Sequence, residues 1–223
     1  MRFDRRAKQI VGIFAICGVL TVSGHLYLDI RLARFIRAVV GDDFLCSSPI
    51  SKIPDLLFSM VCSLTCMSWA ARLYLSTKED GVRTREFLEY VGSALPVAFL
   101  LKTILKDVFG RTNARLWLIH PCPLGFHWFH GGGSLSGFPS GHMVVFTVLM
   151  IGIGRYFPRW RTFCPWLLLA LALALMITQY HFLSDIAAGV LLGVIVDLVI
   201  GRGLPFLRYL AGRKEWQSRP GVL

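Results

Sequence analysis

Charge is scarce in this chain. Of its 223 residues only 17% are Asp, Glu, Lys or Arg, 55% are hydrophobic, and the mean hydropathy is +0.59. Soluble globular domains carry about a quarter charged residues, so that class is excluded, and the high apolar content excludes a disordered or fibrous chain. Acidic side chains are scarcest: between positions 90 and 184 Asp107 is the only one. The apolar runs lack the apolar/polar alternation of a transmembrane β-barrel. Internal repeats, low-complexity stretches and Pro/Ser-rich linkers are also missing, which leaves one integral domain over 1–223 as the simplest organisation.

Long uncharged runs are what the sequence has instead. Residues 9–28, 56–71, 116–153 and 162–184 contain no Asp, Glu, Lys or Arg. A hydrocarbon core of about 30 Å needs about 20 such residues as helix. Read against their charged borders, the runs predict an all-α polytopic membrane protein with six transmembrane helices, at roughly 9–28, 54–75, 87–106, 142–157, 163–180 and 185–204. With a cytoplasmic N-terminus, sixteen of the 24 Lys and Arg fall inside. The eight outside are Arg31, Arg34, Arg37 and Lys52 in a first external loop, and Lys102, Lys106, Arg111 and Arg115 at a second. The positive-inside bias therefore places both termini in the cytoplasm, and most of the +11 net charge reflects topology and anionic lipid rather than nucleic acid. The basic start followed by an apolar run also has the form of a cleavable signal. Ser23-Gly24-His25 is a poor cleavage site, so a retained first helix is expected.

Four of the six cysteines, Cys17, Cys62, Cys66 and Cys164, fall in or beside spans and read as small apolar fillers. Cys46 and Cys122 lie in loops on the outer side, where an oxidising compartment would let them pair.

Five of the six histidines, His120, His127, His130, His142 and His181, crowd into the outward-facing segments. In Tyr180-His181-Phe182-Leu183-Ser184-Asp185 the carboxylate follows the imidazole by four residues, within reach on a helix. A carboxylate on one ring nitrogen fixes the tautomer and leaves the other nitrogen basic, as a nucleophile or base requires. Alternatively Asp185 simply caps the sixth helix. In Phe138-Pro139-Ser140-Gly141-His142, Pro and Gly break the chain just before a helix. That leaves unpaired N–H groups and a hydroxyl at a positive helix N-terminus, a ready anion site. His142 and His181 are 39 residues apart, enough for one helix down and one back, so both emerge on one face. Lys102 and Lys106 share a helix face, Gly110 can end that helix, and Arg111 and Arg115 follow at the turn. Cations and backbone donors, a carboxylate-backed histidine and a second histidine are parts for phosphoryl transfer.

These residues resemble the type 2 phosphatidic acid phosphatase superfamily, whose pattern is Lys-x6-Arg-Pro, then Pro-Ser-Gly-His, then Ser-Arg-x5-His-x3-Asp. Pro139-Ser140-Gly141-His142 matches the second segment in full, His181 and Asp185 match the end of the third, and Lys106 matches the start of the first, with Phe109-Gly110-Arg111 a frequent variant beside it. The likeness covers about 100–190. Two departures stand out: Asn113-Ala114 replaces Arg-Pro, and Ala174-Leu175 replaces Ser-Arg. The resemblance implies a lipid phosphatase at the outer face of a membrane, of bacterial inner-membrane type. His181 would be the nucleophile forming a phosphohistidine, Asp185 would orient it, and His142 would be the acid and then the base. Lys106, Arg111, Ser140 and Gly141 would hold the phosphate, with Arg115 alongside, and no metal or cofactor is implied. Arg111 and Arg115 would partly replace the two absent arginines. Phosphatidylglycerol phosphate, phosphatidic acid, an undecaprenyl carrier and lipid A all remain as substrates, with water or a second lipid as phosphate acceptor.

Two rival readings make different demands. A metal-dependent hydrolase would use His127 and His130 at i,i+3 with His120 or His142, in a loop poor in carboxylates. A lipid or ion transporter would need charge near the midplane, and only Asp197 lies deep, about 18 Å along the sixth helix and expected to pair near the inner boundary. The aromatic and glycine-rich segment 125–134 reads equally as a lid over a head group or as an interfacial anchor.

Overall fold

The computed structural model describes residues 2–41, 53–76, 81–119 and 125–217, and places them as packed helices with no strand. Cys46, Cys122, His120 and Lys52 lie outside the described residues. In order the helices are α1 (Arg2–Ser23), a π-helical turn (Gly24–Leu28), α2 (Asp29–Val40), α3 (Ile53–Leu75), α4 (Val82–Phe109), α5 (Ala114–Ile119), α6 (Gly141–Tyr156), α7 (Phe163–Ile177) and α8 (Leu183–Gln217).

Four stretches are long and apolar enough to cross a bilayer: Ala7–Val40, Leu56–Leu75, Val82–Phe109 and Leu183–Pro205. The apolar helices α6 and α7 have 16 and 15 residues, or roughly 23–24 Å of rise, short of a core of about 30 Å. Six apolar helices are therefore present where the sequence predicts them, four of them with full spanning length.

The first of them differs most from expectation. Helix continues through the π turn to Val40, so Arg31, Arg34 and Arg37, expected in a loop, sit on α2. Tertiary partners explain the extension. The Arg34 guanidinium lies 5.6 Å from the Trp117 ring, Arg37 Nη1 donates to the Leu118 carbonyl at 2.8 Å, and Asp29 and Ala33 are buried.

The core forms where α4, α6 and α8 meet, with Tyr90, Leu95, Ala98, Val144, Val145, Val148 and Val196 nearly or wholly inaccessible. Between α6 and α8 the backbones nearly touch. A Cβ on Gly189 would lie 2.7 Å from the Ser140 carbonyl oxygen, and one on Gly193 would lie 2.7 Å from Thr147 Cβ. In lipid, where burial of apolar surface does not drive helices together, such small residues permit the close packing that holds them. Outward faces are apolar, as lipid contact requires: Val11, Val19 and Trp166 are each about two-thirds exposed. Midway along α8, Asp197 is paired as expected, with Arg155 Nη2 at 2.6 Å and the Tyr90 hydroxyl donating at 2.7 Å. A deep charge with those two partners is a structural tie rather than an open ion site.

Candidate active site

Three chain segments converge at one end of the bundle. The first comes off α4, where Gly110 ends the helix in the left-handed region, φ +52°, and its N–H bonds the Lys106 carbonyl at 2.9 Å. That turn sends Arg111 inward. Its carbonyl accepts the Gly137 N–H at 2.7 Å, and a parallel bridge pairs residue 111 with Ser136. The Pro-Ser-Gly-His segment is thereby fixed against the end of α4.

The second segment is the start of α6. Ser140 is its N-cap, with Oγ accepting from the Met143 N–H at 3.5 Å, while the Ser140 N–H donates to the Asp185 carbonyl at 3.0 Å. The N–H groups of Gly141 and His142 have no acceptor among the described residues, the normal state of a first helical turn and the basis of an anion site. The Lys102 stem runs beside Gly141, where an added Cβ would meet its Cδ at 3.1 Å. Lys102 Nζ lies 3.8 Å from the Phe99 ring centre, and Lys106 sits one turn on. Neither lysine has an ion-pair partner among the described residues, and both bear electrostatically on His142.

The third segment turns from α7 into α8. Gln179 takes the left-handed conformation at φ +57°, and the Tyr180 and Gln179 N–H groups return to the Leu175 and Met176 carbonyls. This is the helix-ending turn that usually employs glycine. A glutamine there costs about 1–2 kcal/mol of backbone strain, offset by its Nε2 bond to the Ala33 carbonyl at 3.3 Å. α7 therefore stops at Ile177, short of the expected 180, and His181 is delivered into the site.

His142 and His181 come together, with ring centres 6.5 Å apart. Asp185 Oδ2 is 3.7 Å from His181 Nδ1, beyond hydrogen-bond length, and accepts the Phe182 N–H at 2.9 Å. Asp185 thus closes the first turn of α8 and lies beside the imidazole without bonding it. Neither nitrogen of the buried His181 ring has a hydrogen-bond partner among the described residues. Burial lowers its pKa from the ordinary 6.5, opposed by the Asp185 carboxylate, so the surroundings disfavour a charged ring at rest.

Arg111 is where the structure departs most from the sequence reading. Rather than presenting its terminal nitrogens to a phosphate, it is wholly buried, with Nη1 2.5 Å from Asp185 Oδ1 and 2.6 Å from Ser184 Oγ, and Nη2 2.7 Å from Asp29 Oδ2. The rings of Phe182, Phe126 and Phe138 lie 4.9, 5.6 and 6.0 Å from its Cζ. The physical reason is Asp29, whose carboxylate also accepts the Ser184 N–H at 3.0 Å and the Ser184 hydroxyl. Sequence reasoning missed Asp29. Its one local sign is an acidic residue ending an uncharged run, and its partner is 82 positions away.

The positions of the two family departures are equally specific. Asn113 Oδ1 accepts the Leu116 N–H at 2.9 Å and so caps α5. Leu175 packs with Met143 and Ile186 in an apolar cluster. Arg115 is half-buried on α5. His127 and His130 turn Nδ1 to the Gly110 and Trp128 carbonyls, and no group of three or more His, Cys, Asp or Glu among the described residues is placed to hold a metal ion. In the aromatic segment Phe126 packs with Phe109, Phe138 and His25, which anchors it over Arg111, while Phe129 stays 78% exposed.

Neither the curated proteins nor the solved structures gave a match to this chain. The family model of the PAP2 superfamily matches residues 87–208, a stretch that contains Lys102, Lys106, Arg111, Ser140, His142, His181 and Asp185. With this match and its apolar helices the chain is an integral membrane protein. It belongs to the type 2 phosphatidic acid phosphatase (PAP2) superfamily, whose members are generally phosphatases.

Proposed function

We propose that the protein is a membrane-embedded lipid phosphatase that hydrolyses a phosphomonoester or diphosphate of a lipid head group through a phosphohistidine on His181. The observation that carries this reading is the pairing of His142 with a buried His181 that has Asp185 beside it, next to the N-terminus of α6 and two lysines without ion-pair partners among the described residues. Nε2 of His181 attacks phosphorus as the bond from phosphorus to the lipid oxygen breaks, and His142 gives that oxygen its proton. His142 then takes a proton from water, the resulting hydroxide attacks phosphorus, and the N–P bond breaks to release phosphate and regenerate the imidazole. As positive charge develops on His181, Asp185 draws closer and stabilises it; the 3.7 Å separation suits a resting site that tightens in the reaction.

The phosphate oxygens sit on the N–H groups of Gly141 and His142, the Ser140 cap, Lys106 and Lys102, with Arg115 adding positive charge from α5. Arg111 acts one layer back, through Asp185. The active end faces the periplasm or exterior of a bacterial inner membrane, with six spans and both termini in the cytoplasm. The test is phosphate release by detergent-purified protein from phosphatidylglycerol phosphate, phosphatidic acid, undecaprenyl diphosphate and lipid A, alongside His181→Ala. Turnover that survives in His181→Ala, or no acid-labile phosphoenzyme in the parent, refutes the mechanism.

A further inference from the structure

Asp29 lies on a helix outside the stretch matched by the family, yet it touches the catalytic machinery directly. Its carboxylate, Arg111, Ser184 and Asp185 form one fully buried cluster, and all four side chains are hydrogen-bonded within it. The preceding π turn brings Asp29 to this place. Gly24 of that turn packs on Ser184, where an added Cβ would lie 3.1 Å from the serine Cβ. Inserted π turns of this kind are frequent at functional sites because they re-aim the helix that follows. Asp29 and His181 also line the same cleft, between α2 and the end of α7.

The charges explain what this carboxylate can do. Arg111 alone would cancel Asp185, leaving nothing to balance an imidazolium at His181. With Asp29 added, the cluster is one guanidinium and two carboxylates, net −1. We propose that Asp29 is a positioning residue for the His181 reaction: acting through Arg111, it fixes Asp185 in place and keeps the buried cluster behind the imidazole net negative. This rests on the phosphatase reading above and assigns its N-terminal helix a part in the chemistry. Charged and titratable groups bearing on His181 are Lys106 of α4, His142 of α6, itself next to Lys102, and Asp185 of α8, with Tyr180 beside it and His25 of the π turn against the Asp29–Arg111 pair. All but Asp185 are cationic or neutral, so removing Asp29 tips the balance in one direction.

The experiment compares the full-length protein with Asp29→Asn, Asp29→Glu, Arg111→Met and the double variant Asp29→Asn/Arg111→Met. Two quantities are measured in detergent micelles: the titration of the His181 imidazole by NMR of histidine-labelled protein, and kcat and KM for phosphate release from phosphatidic acid. Asparagine keeps an acceptor for the Ser184 N–H but removes the charge. Asp29→Asn is expected to lower kcat by about 10- to 100-fold, the range for residues that orient a reacting group through a hydrogen bond, with KM unchanged and the His181 titration moved to lower pH. The double variant returns the net charge to −1, so it recovers the His181 titration and part of kcat, and Asp29→Glu retains part of the activity. A purely structural Asp29 would give a double variant no better than Asp29→Asn, and an unshifted His181 in folded Asp29→Asn overturns the proposal outright. If Asp29→Asn does not fold, the double variant and Asp29→Glu decide the matter. A parent that releases no phosphate from any lipid refutes the phosphatase reading, and the His181 titration then judges Asp29 by itself.

Discussion

Replacing Arg111 with methionine tests the buried cluster most directly. The guanidinium has no exposure and holds Asp29 at 2.7 Å, Asp185 at 2.5 Å and Ser184 at 2.6 Å. Methionine fills much of the same volume and removes the charge, which leaves two carboxylates facing each other with no cation between them. Breaking a buried ion pair by deleting one partner costs about 3–5 kcal/mol, because the remaining charge stays desolvated. For a chain of this size that loss lowers the unfolding midpoint by roughly 6–20 °C. Acid should reverse part of it, since a proton shared between the carboxylates replaces the lost positive charge; the deficit is full near pH 8 and shrinks as pH falls. Asp29→Asn/Arg111→Met, which removes both members of the pair, should be more stable than Arg111→Met. The assay is thermal unfolding of the purified protein in micelles at several pH values, with tryptophan fluorescence as the probe. An Arg111→Met variant as stable as the parent, or one whose deficit is the same at pH 5 and pH 8, would refute the argument.

Other outcomes follow from the same geometry. His181→Ala should abolish phosphoenzyme formation without lowering the unfolding midpoint, whereas His142→Ala should still form phosphoenzyme from a substrate with a good leaving group; equal loss with every leaving group removes His142 as the acid. Because burial lowers the His181 pKa, its ring should remain neutral as pH falls through 6.5, and an NMR titration with a midpoint at or above that value contradicts the site described. Leu175→Arg, although it restores a family residue, places a charge among Met143 and Ile186 and should destabilise the protein; a variant with parent stability and raised turnover would show that this side chain reaches the phosphate. In a background without native cysteines, exposed Ser134→Cys should react with an impermeant thiol reagent from outside, and exposed Ser76→Cys only after the membrane is opened; the reverse pattern inverts the topology.

Much of this molecule is legible in its sequence because lipid imposes a strong constraint. A run such as 162–184 without charge has few solutions other than an apolar helix, and a Pro-Ser-Gly-His junction before one leaves unpaired amides wherever it occurs. The end of α4 at Gly110 was readable for the same local reason. What could not be read was decided by partners distant in the chain. The first helix runs on to Val40 because Trp117, the Leu118 carbonyl and Arg111 meet α2 from more than 80 positions away. Arg111 turns inward for that same reason, since two carboxylates bind its terminal nitrogens, and only one of them is near His181 in sequence. The early stop of α7 depends on Gln179, a residue with no strong turn preference, held in place by a bond to α2.

The partnership between α2 and the histidine site bears on where the functional unit begins. A similarity-based boundary near residue 87 encloses every motif residue, yet it severs Arg111 from Asp29 and Gln179 from Ala33. Truncation, domain grafting or chimera design that respects only that boundary would carry the motif residues into a new host while discarding the carboxylate and the carbonyl to which Arg111 and Gln179 are bonded. A portable unit that keeps the Asp29–Arg111 and Ala33–Gln179 contacts starts upstream of the π turn, so its boundary is set by electrostatic closure rather than by motif content.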